Sequence, residues 1–184
     1  MSSTNAWMGW IDGVDLVALT APGLAMPNLI LHVARLVHTP VGSAPAGMVL
    51  WQPDPASAPV VAGFVCPDPA VGSYFGPNIF AGTPFAQAPV LPAEIVIRTG
   101  PGWASSEIAV AGRRFSVRLD GLAAVGPVQR SPGGMTPFMQ QGGEATAERV
   151  TVTIDGTSVP VIVPPVGISG GPAAVWAPFG SYQR

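Results

Sequence analysis

The sequence predicts an all-β protein: an antiparallel β-sandwich or barrel-like domain with long ordered loops rich in proline, glycine and aromatic residues, and at most one short helix. Three observations carry that expectation. Twenty-two prolines and 23 glycines are spread from end to end, and an interior proline removes a donor and clashes with the preceding helical turn, which excludes long helices. The apolar runs between them are short and rich in valine and isoleucine, the residues that suit a pleated, half-buried surface. Two of these runs alternate with a period of two on either side of a short glycine-containing turn.

The clearest element spans residues 149–163. Val150, Val152 and Ile154 alternate with threonines, Asp155-Gly156 offers the positive φ angles of a two-residue hairpin turn, and Val159, Val161 and Val163 resume the alternation. Pro160 has no N–H to give to a ladder, so the returning strand belongs at an edge. A second hairpin spans residues 106–122: Ile108 and Val110 alternate, Ala111-Gly112-Arg113 turns, and Phe115, Val117 and Leu119 alternate again. Residues 15–20, 48–52, 60–66 and 94–99 are further strands, and 175–179 closes the sheet at the C-terminal end. Residues 29–38 fit two periods. As a helix, Leu29, Val33, Leu36 and Val37 share a face between Pro27 and Pro40; as a strand, Leu29, Leu31 and Val33 oppose Ile30, His32 and Ala34. The strand is preferred because its neighbours are strands.

Residues 1–184 form one β domain with two irregular stretches, 67–92 and 123–147. Loops of that length inside a domain are functional or disordered. These carry Tyr74, Phe75, Phe80, Phe85, Met135, Phe138 and Met139, and disordered segments rarely hold so many large apolar groups. They are expected to be ordered, folded over the ends of the sandwich or docked on another chain.

Composition bounds the function. Apolar residues make up 48% of the chain and charged ones 10%, against about 25% charged in ordinary domains. All eight cationic side chains are arginine, and lysine is absent. The remaining surface must be small neutral or larger apolar groups, which suits a protein covered by partners. The net charge of −2 disfavours nucleic acid, because phosphate binding needs clustered cations. A lone cysteine, Cys66, excludes an intrachain disulfide and reads as a small buried hydrophobe. The first residues lack the basic and apolar regions of a signal peptide, and no run reaches about 18 apolar residues. The expected location is cytoplasmic, with association to a particle or to the periphery of a membrane complex left open by a mean hydropathy of +0.42.

The candidate chemistry is sparse. His32 and His38 share a strand face in the regular case, and Asp54 or Asp68 could join them in space, but this is a thin ligand set for zinc or iron. Glu144 and Glu148 lack a recognisable partner, and the glycine-rich run 167–171 lacks the lysine of a phosphate loop. No catalytic residue, cofactor or metal is assigned. Trp103 and Trp176, among five tryptophans, join the loop aromatics as interface candidates. The expected function is a non-enzymatic structural or accessory subunit that docks on protein partners or on copies of itself through apolar loops. Two alternatives stand beside it. One is a small-molecule or glycan-binding β module with Tyr74, Phe80 and Phe138 around a pocket. The other is an enzyme with a histidine base.

Overall fold

The computed structural model describes residues 5–133 and 136–184. In chain order its strands are β1 (Trp7–Ala18), β2 (Leu29–Thr39), β3 (Gly42–Trp51), β4 (Val61–Val65), β5 (Val90–Leu91), β6 (Ala93–Gly100), β7 (Trp103–Val110), β8 (Arg113–Asp120), β9 (Gly126–Arg130), β10 (Met139–Thr146), β11 (Arg149–Ile154), β12 (Thr157–Val159) and β13 (Ala174–Gln183). Among the described residues one α-helix, α1 (Pro69–Tyr74), runs on into a π-helical turn, Phe75–Ile79, and a short 3-10 turn follows at Pro84–Gln87. The strands form an eight-stranded sheet, β5-β4-β3-β2-β1-β13-β10-β9, and a five-stranded sheet, β12-β11-β8-β7-β6. Neighbours pair antiparallel throughout, apart from the parallel pair of β4 and β5.

Both expected hairpins lie in the five-stranded sheet. Asp155 (φ 52°) and Gly156 (φ 80°) make the turn between β11 and β12, and Ala111 (φ 49°) with Gly112 (φ 73°) the turn between β7 and β8. The second turn is one residue tighter than the sequence suggests, because Val110 pairs directly with Arg113. The strand β12 is an edge, and Pro160 follows its last residue. Residues 29–38 are strand throughout, in the middle of the large sheet.

Three expectations need correction. The C-terminal strand does not close the sheet; β13 lies inside it, between β1 and β10. The stretch 67–92 is only partly irregular, since Asp68 caps α1 by accepting hydrogen bonds from the amides of Ala70 (2.8 Å) and Val71 (3.3 Å), with Pro69 at the first helical position, where its missing N–H costs nothing. The stretch 123–147 contains β9 and β10. The run Met-Gln-Gln-Gly-Gly-Glu of β10 has no apolar alternation to betray it; its pairing with β13 and β9 supplies the strand.

Each side of the large sheet carries a core. Val14, Leu16, Leu29, Leu31, Val33 and Val49 face the five-stranded sheet and meet Ile108, Phe115, Val117, Leu119 and Val152. On the opposite face, Trp10, Val37, Met48, Phe64 and Tyr182 are covered by Val71, Phe75 and Ile79 of the helical segment and by Phe138. The helical segment 69–79, together with Phe138, therefore forms a third layer, while β9 and β10 of the other stretch belong to the large sheet itself.

A line of irregularity crosses the large sheet and decides which residues meet which core. Trp10 and Val14 would share a face in a regular strand, yet they lie in different cores. Between them Asp12 has a left-handed backbone, φ 52°. The β2–β3 register shifts between Ala34 and Val37, and the β10–β13 register shifts between Gly143 and Ala145. Arg35 Nε donates to Asp12 Oδ2 at 2.9 Å along this line. Such bulges reverse side-chain facing and sharpen twist.

Strand approach at β2–β3 is unusually close at one point. A Cβ on Gly47 would lie 2.0 Å from the His32 carbonyl oxygen and 2.6 Å from the Val33 Cα. Gly47→Ala is therefore expected to cost about 1–3 kcal/mol, measured as a lower urea midpoint at unchanged slope. Wild-type stability would show that these strands separate freely.

Candidate functional site

The outer core holds a cavity of about 60 Å³. Its walls are mostly aromatic: Trp10, Phe64, Phe75, Phe80, Phe138 and Tyr182. Trp10 reaches it because of the reversal at Asp12, and its indole rests on Gly180, where a Cβ would come within 2.1 Å of the ring. The rings support one another. Trp10 and Tyr182 have centroids 4.8 Å apart, Phe80 and Phe138 meet edge to face at 5.5 Å, and Phe138 stacks on Tyr182 at 3.9 Å. Met8 and Met48 complete the apolar lining.

Asp15 and His32 supply the polar end. They are direct cross-strand partners on β1 and β2, and His32 Nε2 lies 3.3 Å from Asp15 Oδ1. That approach lacks hydrogen-bond geometry, so Oδ1 is buried with no hydrogen-bond partner. Burial, the largest cause, raises the Asp15 carboxyl from the ordinary 3.8 to about 6; His32 opposes the rise, Glu144 adds to it and Arg130 opposes it. Burial also raises Tyr182, with Asp15 and then Glu144 adding to the effect.

Beside this end stands a closed ion pair. Arg130 of β9 grips Glu144 of β10 with two hydrogen bonds, 2.8 and 2.7 Å. Gln140 joins both partners, accepting from Arg130 at 3.1 Å and donating to Glu144 at 3.0 Å. The Glu144 side chain is only 8% exposed, which makes the pair costly to break from one side. The sequence offered Glu144 with Glu148 and no partner. Arg130 was hidden by the absence of any strand pattern in β9 and β10.

The other expected site residues separate. Tyr74 is buried beside the cavity, its hydroxyl accepting from the Trp7 amide at 3.2 Å. Phe75, Phe80, Phe85 and Phe138 belong to the outer core. Trp176 packs in the inner core, Trp103 lies under the Arg118 guanidinium at 4.3 Å, and Met139 is half-buried at the start of β10. Met135 lies outside the described residues. His32 and His38 do not share a face, because the β2 bulge falls between them; His38 Nδ1 sits 2.7 Å from Ser43 Oγ. Asp54 and Asp68 are engaged locally, with Ser57 and with the α1 amides. Asp15 is thus the carboxylate that meets His32.

A second feature lies on the inner face where the strands run past the five-stranded sheet. Leu36, Ile11 and Phe179 are consecutive cross-strand partners on β2, β1 and β13. Phe179 and Val125 both close over Gly143. Ile11 is 37%, Val125 44% and Phe179 56% exposed, so the row is an apolar stripe open to solvent. Among the described residues no group of three or more metal-ligating side chains gathers, and no helix is long and apolar enough to cross a membrane.

Asp15 gives the site a pH signature. The folded protein holds this proton more tightly than the unfolded chain, so the stability that results is full below about pH 3.8 and is lost as pH rises through about 6. The full difference corresponds to about 3 kcal/mol. Asp15→Asn is expected to be more stable than the parent near pH 7, with the gap closing towards pH 4, in urea unfolding across that range. Comparison of the chain with protein-family models, with curated proteins and with solved structures finds no match.

Proposed function

We propose that this chain is a non-enzymatic structural or accessory subunit that docks on a protein partner, or on a second copy of itself, through the Leu36–Ile11–Phe179–Val125 row. The observation that carries this reading is the position of that row. Leu36, Ile11 and Phe179 sit on three hydrogen-bonded central strands, Val125 just precedes β9, and Ile11, Phe179 and Val125 keep large apolar side chains in water. Contiguous exposed apolar surface on a rigid sheet is typical of interaction sites, and interface centres are depleted of Lys and Glu, as this chain is overall. The loop aromatics named from the sequence fill the protein's own outer core, so the docking role passes to the sheet.

A second reading, a small-molecule-binding β module, is favoured by the aromatic cavity, where Phe80 and Phe138 converge. The two readings use opposite faces of the sheet.

Light scattering at high micromolar concentration is expected to give a mass above that of the 18.7 kDa chain, or a stable complex with the protein purified from its native source under gentle conditions. Phe179→Ser combined with Ile11→Thr should return a folded monomer and release that complex. A parent chain that stays monomeric and alone in both preparations overturns the docking reading.

A further inference from the structure

We propose that the outer-core cavity binds a small organic cation, an ammonium group bearing a few apolar carbons, seated on the Asp15 carboxylate and flanked by the aromatic walls. The inference rests on the second reading above and names its ligand class.

Three observations converge on it. The first is the unpartnered oxygen. Asp15 Oδ1 is buried at the end of the cavity and accepts no hydrogen bond, a costly state that a donor in the cavity would relieve. The second is the local charge balance. The charged and titratable groups around Asp15 are His32 on β2, Arg130 on β9, Glu144 on β10 and Tyr182 on β13. Arg130 and Glu144 cancel in their two-pronged pair. Tyr182 is held in its neutral form by burial. Apart from the His32 ring, 3.3 Å away without hydrogen-bond geometry, an ionised Asp15 has no cation of its own and faces an apolar space. The third is the lining itself. Aromatic faces attract cations, more strongly when water is excluded, and Trp10, Phe80, Phe138 and Tyr182 form a contiguous set of rings around the space. The volume, about 60 Å³, admits a ligand of only a few heavy atoms.

A matched pair of probes separates charge from shape. Isopropylammonium and isopropanol are similar in size, and the Trp10 indole N–H resonance reports occupancy in an NMR titration of the full chain. The cation is expected to bind at least about tenfold more tightly than the alcohol near pH 7, a difference of about 1.4 kcal/mol. The preference should disappear in Asp15→Asn, and in the parent as pH falls through about 6. Equal binding of the two probes, or a preference that survives Asp15→Asn, overturns the cation assignment and leaves the cavity reading standing. If neither probe moves the Trp10 resonance at any concentration reached, both fall.

Discussion

The large sheet is apolar on both of its faces, and the rest of the architecture follows from the need to cover them. Strands β1, β2 and β3 contribute Val14, Leu31 and Val49 to one side and Trp10, Val37 and Met48 to the other. A sheet with one wet face alternates apolar and polar residues; a sheet buried on both faces cannot. The five-stranded sheet answers one side. The helical segment 69–79 and the loop carrying Phe138 answer the other, because rings with few polar atoms cover area at a low cost in hydrogen bonding. The helical segment is thus an integral layer of the protein, and the second long stretch supplies β9 and β10 of the sheet as well as Phe138.

Ionic groups play a limited part in this economy. Among the described residues six arginines form ion pairs, most of them at exposed positions: Arg35 with Asp12, Arg98 with Glu107, Arg113 with Asp155, Arg118 with Asp120, Arg130 with Glu144 and Arg149 with Glu148. Exposed pairs contribute about 0–1 kcal/mol each. Their positions are more telling than their strength, since Arg113–Asp155 ties the two hairpin turns together and Arg35–Asp12 spans the bulge line. The Arg130–Glu144 pair is the more deeply buried exception, and it adjoins Asp15.

The bulge line has two consequences at once. By reversing β1 and β13 it sends Trp10 and Tyr182 to the cavity, and by the same reversal it sends Ile11 and Phe179 to the opposite face beyond the edge of the small sheet. The cavity and the exposed row are the two sides of one distortion. A strand without it would place Trp10 with Val14 in the inner core and leave the outer face without its largest side chain.

The sequence by itself determined the local structure. Proline spacing excluded long helices, the Asp155-Gly156 dipeptide set one turn, Ala111-Gly112-Arg113 marked the second one residue too long, and valine–threonine alternation marked β11. These features act over a few residues, through sterics and backbone hydrogen bonding, and need no distant partner. The aromatic content of the loops set the expectation that they are ordered, and the rings of Phe75, Phe80, Phe85 and Phe138 pack in the outer core. Only the tertiary structure decided which sheet covers which, that β13 enters the middle of a sheet, and that β10 is a strand at all, because these depend on pairing between residues far apart in the chain. The same holds for the site. Asp15 meets His32 through strand register, Trp10 turns outward through one left-handed residue, and neither event leaves a periodic trace, since a bulge breaks the very pattern by which a strand is read.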